Sequence, residues 1–287
     1  MLAFQKRSSR PPIAVIGCGS ASTFRPYLAG LGAYIGAMTQ SRPADSLTPP
    51  RRSLGRRFAE RYRDVLASIY IYNEHRGYTS LDRVLEAVRA RCPDDAAFIA
   101  AVEKHRADEE KHYRMFRRYF EREGRLPLFV DKSCGHIDHF IRIAFGRSIE
   151  ELDTQAVVAD GALFERLCRV IMLTEQRGMR QVAILLRSKL VMADPSLKAI
   201  FKVIERDEPS HWMPYRDWLA RNHRRQPRWR EKLTDLRIHR ELMFIRLPAI
   251  FLNGRLPRRT NWPDASDPPN APGQGGPVAV IAPPAAA

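Results

Sequence analysis

Residues 108 to 120 read Asp-Glu-Glu-Lys-His-Tyr-Arg-Met-Phe-Arg-Arg-Tyr-Phe, and residues 207 to 219 read Asp-Glu-Pro-Ser-His-Trp-Met-Pro-Tyr-Arg-Asp-Trp-Leu. Aligned without gaps, both give Asp-Glu-x-x-His, an aromatic, two spacers, an aromatic, Arg, a spacer, an aromatic and a bulky apolar residue. A shorter repeat precedes each copy. Asn73-Glu74-His75-Arg76-Gly77 places Glu74 35 residues before Glu109, and Thr174-Glu175-Gln176-Arg177-Gly178 places Glu175 33 residues before Glu208. Residues three apart share a helix face, so Glu109 with His112, and Glu208 with His211, can each turn an oxygen and a nitrogen toward one point.

Helix signals flank these motifs. Ser53 is a candidate N-cap for a helix running to about Arg91, with an apolar run from Val65 to Tyr72. Pro93-Asp94-Asp95 marks a turn into a second helix reaching about Arg122. A third helix is expected from about Glu151 to Met192. A fourth starts at Asp194-Pro195, cap and first helical residue, and ends near Asn222. Pro209 and Pro214 lie inside it, so a kink or a π-bulge is expected beside His211. From Glu74 to the first turn is about 18 residues, ~27 Å of helix, and from the turn to Glu109 about 15 residues, ~22 Å. A hairpin there sets both carboxylates at similar heights, and Glu175 and Glu208 give the same result across the turn at Ala193-Asp194-Pro195.

Between residues 53 and 222 the chain resembles the ferritin-like di-iron and di-manganese carboxylate proteins, which build a metal pair inside a four-helix bundle from two single-Glu helices and two Glu-x-x-His helices. The resemblance implies an all-α, ferritin-like four-helix bundle of two hairpins joined by a long crossover, which residues 124 to 152 would supply. It implies Glu74, Glu109, His112, Glu175, Glu208 and His211 as ligands, with Glu109 and Glu208 as the shared carboxylates. The expected cofactor is two iron ions, with Fe/Mn or two manganese ions also compatible with the mixed oxygen and nitrogen donors. Asp-Glu-x-x-His is similar to the oxygen-activating members. In those proteins the Asp of one motif holds the His of the other, so Asp207 would orient His112 and Asp108 would orient His211. No catalytic group beyond the ligands stands out. His136 and His139, with no carboxylate in phase, are not expected to bind metal.

The chain has 287 residues, 44% of them hydrophobic, and a formal net charge of +16. The charge invites an anionic partner. Thirteen Lys or Arg fall between Arg216 and Arg259, against Asp217, Glu231, Asp235 and Glu241. A fifth, very basic helical pattern runs from Trp229 to about Arg246 and leads into the apolar run Leu247–Leu252. Residues 229 to 252 are therefore either a peripheral contact with an anionic membrane or a helix packed over the bundle. Four scattered cysteines contain no Cys-x-x-Cys pair, which argues against a disulfide framework and against the cysteine-ligated iron module of rubrerythrins. They fit a reducing cytoplasm. Residues 1 to 52 are expected to be a disordered leader, and 255 to 287, rich in Pro, Gly and Ala, a disordered tail.

Two functions follow from the resemblance. One is an oxygen-dependent oxidase or monooxygenase acting on a small apolar substrate, with electrons from a separate reductase. The other is a ferroxidase, iron-handling or peroxide-scavenging protein with no organic substrate. Nucleic acid is a third, less favoured partner, through hydroxylation of a modified tRNA base. A homodimer is compatible with every reading.

Overall fold

The computed structural model describes residues 53 to 266, and the expectations for a leader over 1 to 52 and a tail over 267 to 287 lie outside them. The protein is an all-α helical bundle. Among the described residues the sole β feature is an isolated antiparallel bridge between Leu128 and Arg258.

Helix α1 spans Leu54–Arg91, with the Ser53 hydroxyl accepting from the Arg56 N–H at 3.4 Å. It turns at Cys92–Asp95 into α2, Ala96–Arg122, whose first turn is closed by Asp95 accepting from the Phe98 N–H at 3.0 Å. The crossover carries α3, His136–Phe145. The expected third helix is divided in three: α4 (Thr154–Ala159), α5 (Gly161–Leu185) and α6 (Lys189–Met192). Asp153 and Asp160 explain the first division. Each takes extended backbone and turns its carboxylate onto the N–H groups that follow, so each begins a helix instead of continuing one.

The expected fourth helix is α7, Pro195–Asp207, followed by α8, Pro209–Arg221. The interruption falls on Glu208 itself. Pro209 has no N–H to give, and the His211 N–H closes a tight turn onto the Glu208 carbonyl at 3.0 Å, so no π-bulge forms beside His211. A π-helical turn does occur, but at Leu242–Arg246, where it joins α9 (Trp229–Glu241) to α10 (Leu247–Leu252). The disordered tail expected from residue 255 also needs correction. Residues 255 to 266 lie against the bundle and end in α11, Pro263–Ser266. Arg258 pairs with the buried Asp64 at 2.6 Å, the Arg259 guanidinium donates to the Val130 carbonyl at 2.9 Å, and Arg117 lies over the Trp262 ring and pairs with Asp264 at 2.8 Å. Composition favoured disorder there, but charged and aromatic anchors outweighed it.

The interior has two main apolar layers. One gathers Val84, Val88, Phe98, Phe164, Ile171 and Trp218; the other gathers Leu66, Ile71, Phe116, Val182, Phe201 and Ile204. The chain passes from one layer to the other near each glutamate: Glu74 lies between Ile71 and Leu81, Glu109 between Val102 and Tyr113, Glu175 between Leu173 and Val182, and Glu208, at the junction of α7 and α8, between Ile204 and Tyr215. The polar site therefore sits at mid-height. No helix among the described residues is long and apolar enough to cross a membrane.

Candidate metal centre

The six residues singled out by the repeat come together between the layers. Ligand-capable atoms of Glu74, Glu109 and His112 lie within 4.8 Å of one another, as do those of His105, Glu109, Glu175 and His211. Glu109 belongs to both groups. Glu208 belongs to neither. Its Oε2 stops 4.0 Å from His211 Nδ1 and makes no hydrogen bond. The two positions thus differ, where the repeat had suggested two alike.

The histidines are oriented from behind. His112 turns Nδ1 toward Glu74 Oε2 at 3.3 Å, and its Nε2 lies 3.2 Å from Asp207 Oδ2. His211 turns Nδ1 toward Glu109 Oε1 at 3.1 Å, while its Nε2 faces Asp108 Oδ2 at 3.6 Å. Each motif's aspartate therefore faces the other motif's histidine. Lys111 ties the two aspartates together, donating to Asp108 and lying 2.7 Å from Asp207. Burial alone would push both carboxyls up. The His211 imidazole facing it and the hydrogen bonds from Lys104 and Lys111 instead hold Asp108 well below the usual range, and hydrogen bonds from Lys111, Arg206 and His112 hold Asp207 down to about 2.

His105 was not anticipated. It lies four residues before Glu109, on the face that carries Glu109 and His112, fully buried and stacked on His211 with ring centroids 4.3 Å apart. Its Nε2 is 3.7 Å from both Glu109 and Glu175, and its Nδ1 is 3.4 Å from the buried Tyr215 hydroxyl. The i, i+4 spacing was visible, but the aligned position in the second repeat is Ile204, so comparison of the repeats hid it. His136 and His139 belong to neither ligand group: His136 lines the cavity that reaches the carboxylates, with Nε2 3.2 Å from Asp235, and His139 is bonded to the Ser133 carbonyl.

Several observations show that a cation fits. His105 Nε2, His112 Nδ1, His211 Nδ1 and Glu208 Oε2 are buried, point inward and make no hydrogen bond, the usual sign of lone pairs waiting for a positive centre. Burial, then the neighbouring Glu109, pushes the Glu74 carboxyl well up; burial, then Glu175, does the same to Glu208. Such carboxyls cannot all ionise together unless cations compensate them, and four carboxylates balance two divalent ions. Glycines make room for them. A Cβ on Gly77 would stand 2.4 Å from Glu109 Oε2, and one on Gly178 3.1 Å from Glu208 Oε1. Buried Glu and His groups here are able to hold a metal ion.

A cavity of about 350 Å³ reaches these carboxylates. Glu74, Glu109, Glu175 and Glu208 form its floor; Leu66, Ile69, Tyr70, Leu81, Ile171 and Ile184 are among its walls, and Leu242, Met243, Arg246 and Leu247 cover it. The arginines of the short repeat secure the surrounding elements. Arg76 pairs with Asp138 of α3 at 2.7 Å, and Arg177 pairs with Asp235 of α9.

No protein-family model matches the chain, and searches among curated proteins and among solved structures likewise return no match. The functional reading therefore rests on the geometry of the site.

Asp207→Asn removes the charge behind His112 without changing the shape of the side chain. Divalent-metal affinity is expected to fall roughly 10- to 100-fold, with the helix content unchanged. Isothermal titration with Mn(II) reads this directly, and an unchanged affinity would mean that Asp207 serves only its pairs with Lys111 and Arg206.

Proposed function

We propose that the chain is a ferritin-like di-metal carboxylate protein, and that it uses two iron ions, or iron with manganese, to oxidise an apolar organic substrate with dioxygen. Glu74 and His112 would hold one ion and His105, Glu175 and His211 the other, with Glu109 available to both and Glu208 nearby as a further carboxylate. When bound, the ions supply Lewis acidity and one-electron redox capacity. The chain's own groups orient and insulate them. For His105 to present Nε2 inward, its proton must sit on Nδ1, where Tyr215 accepts it; His112 likewise donates from Nε2 to Asp207. The two apolar layers exclude water above and below.

The cavity carries this reading. Its volume falls at the lower end of the range typical for small-molecule sites, and the surface it presents is mainly apolar. Iron storage or peroxide removal would need only a narrow passage. Tyr70 lines the cavity, and its hydroxyl is buried without a hydrogen-bond partner. Burial, then the nearby Glu74 and Glu208, raises its pKa well above the ordinary value, so it keeps its proton and offers the substrate one donor. Electrons would come from a separate reductase.

Single-turnover reaction of the di-ferrous protein with oxygen, with and without a lipid extract, tests the proposal by mass spectrometry. An extract component gaining oxygen or losing hydrogen supports it, whereas ferric protein with an unchanged extract favours the ferroxidase reading. Met243→Trp should narrow the cavity at its cover, retain full metal content and lower product formation about tenfold or more. Equal product from this variant would remove the cavity from the account.

Metal binding should also release protons. Glu74 and Glu208 hold protons above the ordinary carboxyl range, and His211 is raised as well: burial opposes its charge, but Asp108 and Glu109 outweigh it. A cation displaces these protons, so apparent affinity is expected to rise with pH. Calorimetry in buffers of differing ionisation enthalpy counts the protons released, and zero release would contradict the assignment.

A further inference from the structure

We infer that α9 and the π-turn after it dock on an anionic lipid bilayer and set the cover of the cavity against it. Helix α9 buries one face, Asp235, Ile238 and then Leu242, against the bundle. The opposite face repeats Trp229, Leu233, Leu236, Arg240 and Phe244 at steps of three or four, which is one stripe of a helix. All five are exposed, Trp229 by 68% and Phe244 by 74%, and among the described residues nothing packs over them. Arg230, Lys232 and Arg237 border the stripe and are exposed.

Two of its three acidic residues face the other way. Glu231 pairs with Arg169 at 2.9 Å and Asp235 with Arg177, both from α5, so the bundle neutralises them, while the third, Glu241, is paired with Arg246 at 3.3 Å and the outer stripe keeps its positive border. An apolar stripe edged by cations, with an aromatic at each end, is the composition of a helix lying in a membrane interface. A second copy of this chain would bring the same cations into opposition, and a nucleic acid would leave the stripe without a partner. The lipid surface satisfies both features.

The placement bears on access. In the π-turn, Leu242, Met243 and Arg246 line the cavity while Phe244 and Ile245 lie bare on its other side. Five consecutive residues thus separate the cavity from the proposed membrane.

Flotation of the full chain with vesicles tests this, using phosphatidylcholine alone and phosphatidylcholine mixed with phosphatidylglycerol. The protein should float with the mixed vesicles only and be released by salt. Reversing Arg230, Arg237 and Arg240 to Glu should weaken partition by roughly fivefold or more per residue. Trp229→Ser with Leu233→Ser and Leu236→Ser should abolish it at low salt as well. All six positions are exposed, so helix content and metal content should match the parent, which separates failure here from failure of the metal assignment. The inference is overturned if the parent ignores mixed vesicles, or if the serine variant binds them equally. It is also overturned if the parent is a dimer that Leu233→Arg converts to a monomer, since the stripe then covers a second copy.

Discussion

Glu109→Ala is expected to remove both metal ions at once. Glu109 is the one carboxylate common to the two ligand groups, so its loss leaves Glu74 with His112 on one side and His105, Glu175 and His211 on the other, with nothing to join them. Metal content should fall from about two ions per chain toward none. The thermal stabilisation given by added metal should vanish with it, since a ligand at a hundred times its Kd contributes ~2.7 kcal/mol to a folded state that alone binds it. Glu208→Ala offers the contrast. Glu208 lies outside both groups, so this variant should retain most of the metal. Thermal melts with and without Mn(II), alongside elemental analysis, read both variants. Equal losses for the two would mean that Glu208 moves fully into the site on loading, and full metal retention in Glu109→Ala would remove Glu109 as the shared ligand.

Gly77→Ala should be nearly as damaging, although it adds only one methyl group. The new carbon would lie 2.4 Å from Glu109 Oε2, and the carboxylate would have to swing away. In metal-free protein that movement is cheap, because a side-chain end can shift. Alanine also suits a helix better than glycine by roughly 1 kcal/mol, so the metal-free variant should melt at or above the parent. If Glu109 serves both ions it would lose that freedom to swing away, and the same methyl group would become a direct obstruction. Affinity is expected to fall at least as far as for a lost supporting contact, roughly 100-fold. Gly178→Ala meets Glu208 at the softer distance of 3.1 Å and should lose less. A variant that is both more stable without metal and much weaker in binding it cannot be explained as misfolding. Parental affinity in Gly77→Ala would show that Glu109 approaches the ions along another path.

Much of the bundle was legible in the chain. Ser53 and Asp194 cap where cap residues were read, Asp95 caps the helix entered at the turn read over Pro93-Asp94-Asp95, and the similar heights of Glu74 with Glu109 and of Glu175 with Glu208 anticipate how the four carboxylates come together. What escaped had a local cause. Asp160 looked like one polar residue inside a long helix, but it bends the backbone and starts a new one. His105 has no counterpart in the second repeat, so a comparison that rewards symmetry overlooks the residue that breaks it. The π-turn at Leu242–Arg246 contains neither Gly nor Pro, and its one local signal is Pro248 just beyond it, which has no N–H to continue the ladder. The anchoring of residues 255 to 266 depends on Asp64 and Arg117, nearly two hundred and nearly one hundred and fifty positions away, which no local pattern contains.

The central claim is a pair of metal ions held by this set of side chains. Crystals soaked with Mn(II), with anomalous scattering data collected at the manganese edge, measure it most directly. Two peaks are expected per chain, ~3.5–4 Å apart, one beside Glu74 and His112, the other beside His105, Glu175 and His211, with Glu109 between them. Absence of both peaks, or peaks that persist when Glu74, Glu109, Glu175 and Glu208 are all alanine, would contradict the account.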